Sequence, residues 1–147
     1  MNVTICGSNT FYDEMLDVKK KLEELGHQVK LPPAEIEDEN GNMISVKEFY
    51  IVRKAETNDN SWVWDRKEEA MRKHFQKVEW SDAVLILNYD KNDVPNYVGA
   101  NTLLEMGLAF HLNKKIYLLN GMPEISYKEE ILGMKPIVIN QDLTKMQ

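Results

Sequence analysis

The stretch SDAVLILNY, residues 81 to 89, holds five consecutive apolar side chains from Ala83 to Leu87 between a polar start and an Asn-Tyr end. A run this short, apolar on both alternating faces, is the pattern of a central parallel strand covered by helices on each side. Reading forward, the loop DKNDVPNYVGAN is followed by a helical pattern over 100–112, a strand at 115–120 (KIYLLN), a short helix near 126–132 and a strand at 135–140 (KPIVIN). Reading back, a charged helix over 61–79 leads into the central strand. The chain opens with a β-type run at 2–6 (NVTIC), a Gly7-Ser8 turn and a helix over 10–25 marked by Phe11, Met15, Val18, Leu22 and Leu25. Gly26 fits the position just past a helix, where positive φ costs glycine little, and HQVKLP then reads as a strand stopped by Pro32-Pro33.

Strands alternating with helices imply a parallel sheet with right-handed crossovers. The expected fold is α/β, one flavodoxin-like or Rossmann-like domain over residues 1–147 with a five-stranded parallel sheet, helices on both faces and no internal repeat. Residues 33–60 are acidic and loop-like around a short helix at 46–55, and a connection this long in a small domain is functional or mobile. In such sheets ligands bind beyond the carboxyl ends of the strands, near the point where the strand order reverses. Three turns are expected to meet there: Gly7-Ser8-Asn9, the segment from Asn88 to Asn101, and Asn120-Gly121.

Composition narrows the partner. At 43% hydrophobic and 29% charged residues the chain has globular character, and no apolar run reaches the roughly 20 residues of a membrane span. The first residues, MNVTICGS, lack the basic flank and long apolar region of a secretory signal, which points to the cytoplasm. A net charge of −6 without a dense basic patch argues against a nucleic-acid polymer and for a small molecule. The single cysteine, Cys6, has no internal partner, and His27, His74 and His111 offer no metal-ligand spacing, so neither a metal nor another cofactor is expected.

Within GANTLLEMGLAF (99–110), Glu105 is the only charged residue between Asp93 and Lys114. On a helix it lies one turn beyond Asn101 and shares its face with Leu108, Ala109 and Leu112. A first-turn acid complementing the helix dipole is the plain explanation. Yet Leu103, Leu104, Met106 and Leu108 leave such an acid little wet side, and a carboxylate in an apolar rim is held by hydrogen bonds or used.

Three motifs together, ICGSNTFYDEM after the first strand, SDAVLILN, and GANTLLEMGLAF opening the next helix, resemble those of the nucleoside 2-deoxyribosyltransferase-like superfamily, including its nucleotide N-glycosidase branch. The resemblance spans nearly the whole chain, with 33–60 as an unassigned insertion, and Glu105, Gly107 and Ala109 form its most specific element. It implies an enzyme that cleaves or exchanges the N-glycosidic bond of a nucleoside or nucleotide, with Glu105 as the nucleophile and a glycosyl ester as the intermediate. The alternative is a catalytically silent nucleotide sensor of the same fold. Gly107 would let its helix pack closely on the sheet. Cys6, Gly7, Ser8, Tyr12, Asn88, Gly99, Asn101 and Asn120 become candidate substrate contacts, with Asn101 alternatively capping its helix and Phe11 or Tyr12 placed to stack on a base.

Two departures stand out. Relatives place an arginine in the first turn, where this chain reads Ser8-Asn9-Thr10-Phe11-Tyr12, which weakens the monophosphate reading. Relatives also carry a second acid on the helix before the central strand, where this chain has His74. Histidine can serve as a general acid near neutrality, although a lone one on a charged helix more often sits at the surface. Asp82 reads as structural. Trp62 and Trp64 border the insertion and could close over a base. A homodimer or larger homo-oligomer is expected from the resemblance alone.

Overall fold

The computed structural model describes residues 1–147. Its main sheet has five strands in the order β2 (Gln28–Lys30), β1 (Asn2–Gly7), β5 (Ala83–Leu87), β6 (Lys115–Leu118) and β7 (Ile137–Val138), and every pairing is parallel. Leaving aside a separate two-stranded hairpin in the insertion, this is the flavodoxin-like order, with the reversal between β1 and β5. The central strand is buried at all five positions, as its sequence requires.

Strand alternation sorts the core into two layers. Val3, Ile5, Ala83, Leu85 and Leu87 face α1 (Tyr12–Glu24) through its Met15, Val18 and Leu22. On the opposite face, Cys6, Val84 and Ile86 meet α3 (Trp62–Trp80), α4 (Ala100–His111) and α5 (Lys128–Gly133) through Val78, Met106, Ala109 and Ile131. Cys6 therefore points toward the same helices that carry His74 and Glu105. No helix is long and apolar enough to cross a membrane.

Gly26 follows α1 with φ of +94°, the left-handed geometry expected of it, and His27 N–H donates back to Leu22 O. Gly7 is needed for space: a Cβ there would stand 3.1 Å from Leu87 O and 3.3 Å from Met15 Cε. Gly107 is different. A Cβ at that position would meet nothing within 4 Å, so close packing of α4 on the sheet is not its role. The last strand is shorter than the apolar run suggests. Lys135, Asn140 and Gln141 adopt positive φ on either side of Ile137–Val138 and confine the pairing to two residues.

The acidic insertion is ordered structure rather than loop. β3 (Glu35–Glu37) and β4 (Met43–Ser45) form an antiparallel hairpin, its turn held by Asp38 Oδ1 accepting from Asn40 N–H and Asn42 N–H at 2.8 and 2.9 Å. α2 (Val46–Ala55) follows directly, capped by Ser45, whose Oγ accepts from Glu48 N–H at 3.1 Å. Ile36, Val46, Phe49 and Val63 make a third small core here, with Trp62 and Trp64 packed against it. The tryptophans thus brace the insertion instead of facing a ligand, and Trp64 Nε1 donates to Asn58 O at 2.9 Å.

Candidate active site

A cavity of about 390 Å³ opens beyond the carboxyl ends of β1 and β5, within the size range of ligand pockets. The first turn, α3, the loop after β5 and the start of α4 form its floor, and the insertion roofs it. Ile36, Phe49, Ala70 and Met71 give it an apolar wall suited to a flat or sugar-like body. Of the residues expected to bind substrate, Gly7, Ser8, Gly99 and Asn101 line it, together with His74 and Glu105.

Glu105 is 4% exposed and His74 also 4%, so the structure buries the histidine that its charged helix context assigned to the surface. The helical repeat explains this: His74 lies one turn before Val78 on the inward face of α3. Cys6 comes from the adjacent strand position on the same side of the sheet. Its Sγ lies 3.5 Å from His74 Nε2, and His74 Nε2 lies 3.6 Å from Glu105 Oε2.

The three groups repel charge more than they pair it. Burial pushes the Glu105 carboxyl up from 4.5 to about 8, against smaller pulls from the Cys6 hydrogen bond and the Lys67 charge. Burial, helped by Lys77, pushes His74 down from 6.5 to about 4, and burial beside Glu105 raises the Cys6 thiol well above its ordinary value. The 3.6 Å separation would permit a charged pair, but it exceeds the roughly 2.7–2.9 Å of a charge-assisted hydrogen bond, and Glu105 Oε2 has no hydrogen-bond partner. Burial thus favours the neutral form of both side chains, and it disfavours the charged imidazole that a general-acid role for His74 would use.

Cys6, His74 and Glu105 are also the residues that could hold a metal, with ligand atoms all within 4.8 Å of one another, a grouping the histidine spacings did not reveal. Bound metals orient their histidines through the second ring nitrogen. Here His74 Nδ1 is buried without a partner, which does not fit a built metal site.

The remaining candidates have structural employment. Tyr12 OH donates to Pro32 O at 3.2 Å, tying α1 to the start of the insertion, while Phe11 packs edge-on against Tyr89 at 5.1 Å. Asn101 does not cap α4; Gly99 occupies that position and makes no side-chain cap. Asn88 is fully buried and outside the cavity lining: its Nδ2 donates to Asn120 O and Gly121 O at 3.3 and 2.9 Å, and its Oδ1 accepts from Asn120 N–H at 2.8 Å. Asn120 Nδ2 donates back to Asn88 O at 3.3 Å, and its Oδ1 accepts from Gln141. The two asparagines clamp the ends of β5 and β6 together within this chain. Asn88→Ala should cost about 2–3 kcal/mol of stability by orphaning those backbone groups, measured by urea unfolding. Asp82 Oδ2 accepts from Asn2 N–H at 2.8 Å at the far end of the sheet.

Sequence reading missed the cations. Arg53 and Lys54 from α2, Lys67 from α3 and Lys91 from the loop after β5 all line the cavity, with Tyr50 and Tyr97 among them. Lys91 Nζ donates to Ser8 Oγ at 2.7 Å, joining the two turns at the switch point.

Among solved structures, a 2-deoxyribosyltransferase from the psychrotolerant bacterium Bacillus psychrosaccharolyticus matches 81% of this chain and 72% of its own, with 16% identity and a TM-score of 0.50. The chain shares that enzyme's fold. A CMP N-glycosidase of Clostridium botulinum, BcmB, matches 94% of this chain and 85% of its own at 18% identity and a TM-score of 0.49. No protein-family model and no curated relative matches the chain. At such identities the likeness establishes architecture, and the chemistry must be argued from the side chains.

Proposed function

We propose that this protein cleaves or exchanges the N-glycosidic bond of nucleosides or nucleotides, with Glu105 as the nucleophile. One observation carries the reading: a buried carboxyl forms part of the wall of a ligand-sized cavity at the switch point of the sheet. The fold shared with a 2-deoxyribosyltransferase supports it. Ionised Glu105 attacks C1′, the C1′–N bond breaks, and its electron pair leaves with the base, which takes a proton from solvent. Water or a second base then opens the glutamyl ester and restores the carboxylate.

Glu105 holds its proton up to about pH 8 in the free protein, and only the ionised form is nucleophilic. For an uncharged nucleoside, kcat/KM should therefore climb about tenfold per pH unit below pH 8 and level off above it. Base release is followed by chromatography across a panel of nucleosides and their phosphates, with and without a second free base. A profile flat from pH 6 to 9 would mean either that Glu105 is already ionised in the free protein or that it is not the nucleophile, and the activity of Glu105→Gln separates the two.

The same proton favours the second reading, a nucleotide-binding protein without turnover. A protonated Glu105 beside a neutral His74 leaves most molecules without an ionised nucleophile at pH 7. Binding without base release even at pH 9 would decide for it.

A further inference from the structure

The cavity's charge contradicts the chain's. A protein of net charge −6 lines one cavity with Arg53, Lys54, Lys67 and Lys91, against a single acid, Glu105, which is itself held neutral. None of the four cations makes a salt bridge. Three of them converge: Arg53 Cζ, Lys54 Nζ and Lys91 Nζ lie 5.1, 5.4 and 5.1 Å from the centre of the Tyr50 ring, and Lys91 also lies 5.6 Å from that of Tyr97. Lys67 of α3 lines the same cavity, where burial first, then the charges of Arg53 and Lys54, bring its pKa from 10.5 to about 8.

Unpaired like charges gathered in a partly buried cavity destabilise the free protein, and an anion removes that cost. A 5′-monophosphate brings at most two negative charges near neutrality and would leave half of the cluster uncompensated. A chain of two or three phosphates matches the number of the cations. It also explains why no second acid lines the cavity to recruit a magnesium ion, since the side chains neutralise the phosphates themselves.

We infer that the ligand is a nucleotide carrying a di- or triphosphate, its base and sugar against the apolar wall and Glu105, and its phosphates on Arg53, Lys54, Lys67 and Lys91. This rests on the proposed function for the identity of the base-and-sugar end, while the phosphate end stands on the cation cluster alone. Much of the cluster belongs to the insertion: α2 carries Arg53, Lys54 and the Tyr50 ring that gathers them. The insertion is accordingly the part that sets phosphate number.

Calorimetric titration of Glu105→Gln protein, which binds without turnover, tests this in magnesium-free buffer. The probes are one nucleoside, its mono-, di- and triphosphates, and inorganic tripolyphosphate. Affinity should rise about tenfold or more with each added phosphate, the worth of one charge-assisted hydrogen bond, and tripolyphosphate should compete with the triphosphate. Lys67→Met or Arg53→Ala should flatten the series, and Lys67→Arg should restore it, separating charge from packing. Equal affinity for nucleoside and triphosphate, or a series unchanged in Lys67→Met and Arg53→Ala, overturns the inference. The two ideas fail separately. A steep phosphate series without base release from wild-type protein sinks the enzyme reading alone, and base release as fast from nucleosides as from triphosphates, with a flat series, sinks only this one.

Discussion

Glu105→Gln should reduce base release by about 10⁴-fold or more while leaving a folded protein that still binds nucleotide. The substitution keeps the shape of the side chain and removes only its ability to carry negative charge. Nothing else in the site can replace it. Cys6 sits 3.5 Å from His74, but its thiol is buried and held protonated, and His74, neutral above about pH 4, is a weak base at that site. A second nucleophile is therefore absent from the cavity floor, and the variant falls back on direct attack by water. Rapid quenching of wild-type protein with substrate at pH 9 should give an intact-mass increase of one glycosyl group, and peptide mapping should place it on Glu105. Retention of more than a tenth of wild-type activity in Glu105→Gln, or an adduct on another residue, would refute Glu105 as the nucleophile.

The sheet was readable in the sequence because it rests on local regularities. SDAVLILNY is apolar on both faces only if both are covered, and Gly26 stands where a helix must end in positive φ. The cavity was readable in part for the same reason. Gly7, Ser8, Gly99 and Asn101 sit at fixed offsets from strand ends, and topology alone carries them to one place. Glu105 turns inward as its apolar neighbours implied, but Asn88, Asn120 and Tyr12 turn to backbone partners that their positions alone did not reveal. Asn88 and Asn120 were correctly placed at two neighbouring strand ends, and that proximity is why they satisfy each other and leave the cavity.

His74 and the cation cluster show a second limit. A helix as charged as WDRKEEAMRKHFQKVEW offers no clean apolar stripe, so the inward turn of His74 and Val78 is diluted among exposed lysines and glutamates. Arg53, Lys54, Lys67 and Lys91 come from three segments across 39 positions of sequence, and no window of the chain shows them together. The insertion concealed them further. Its acidic residues, Glu35, Glu37 and Glu39 among them, lie outside the cavity lining, whereas α2 carries its two cations in its last turn. There they also complement the negative end of the helix dipole, so a position comfortable for α2 alone has become a position over the ligand.

The reactive state of Glu105 should be legible in stability as well as in rate. Glu105 has a folded pKa of about 8 against 4.5 unfolded, so between those values the folded protein binds more protons and loses stability as pH rises. His74 has the opposite displacement, about 4 folded against 6.5 unfolded, so its contribution grows as pH rises to 6.5 and is constant beyond. The two slopes oppose each other from pH 4.5 to 6.5, and only Glu105 acts from 6.5 to 8. Glu105→Gln removes that cost. At about 1.4 kcal/mol per tenfold change in proton affinity, the variant should exceed the wild type by on the order of 5 kcal/mol at pH 9. Near pH 4.5, where both side chains are neutral, the two should be close to equal. Urea midpoints measured from pH 4.5 to 9 give the difference directly: the His74 slope is common to both proteins and cancels, so the gap should widen steadily from pH 4.5 to about 8 and stay constant above. A gap that stays constant with pH would mean that the glutamine amide merely packs better, and a wild type that gains on the variant with rising pH would mean that the site already stabilises the carboxylate. Either outcome would also predict activity that does not depend on ionising Glu105 near pH 8, so the unfolding curves and the rate profile test one physical statement by independent means.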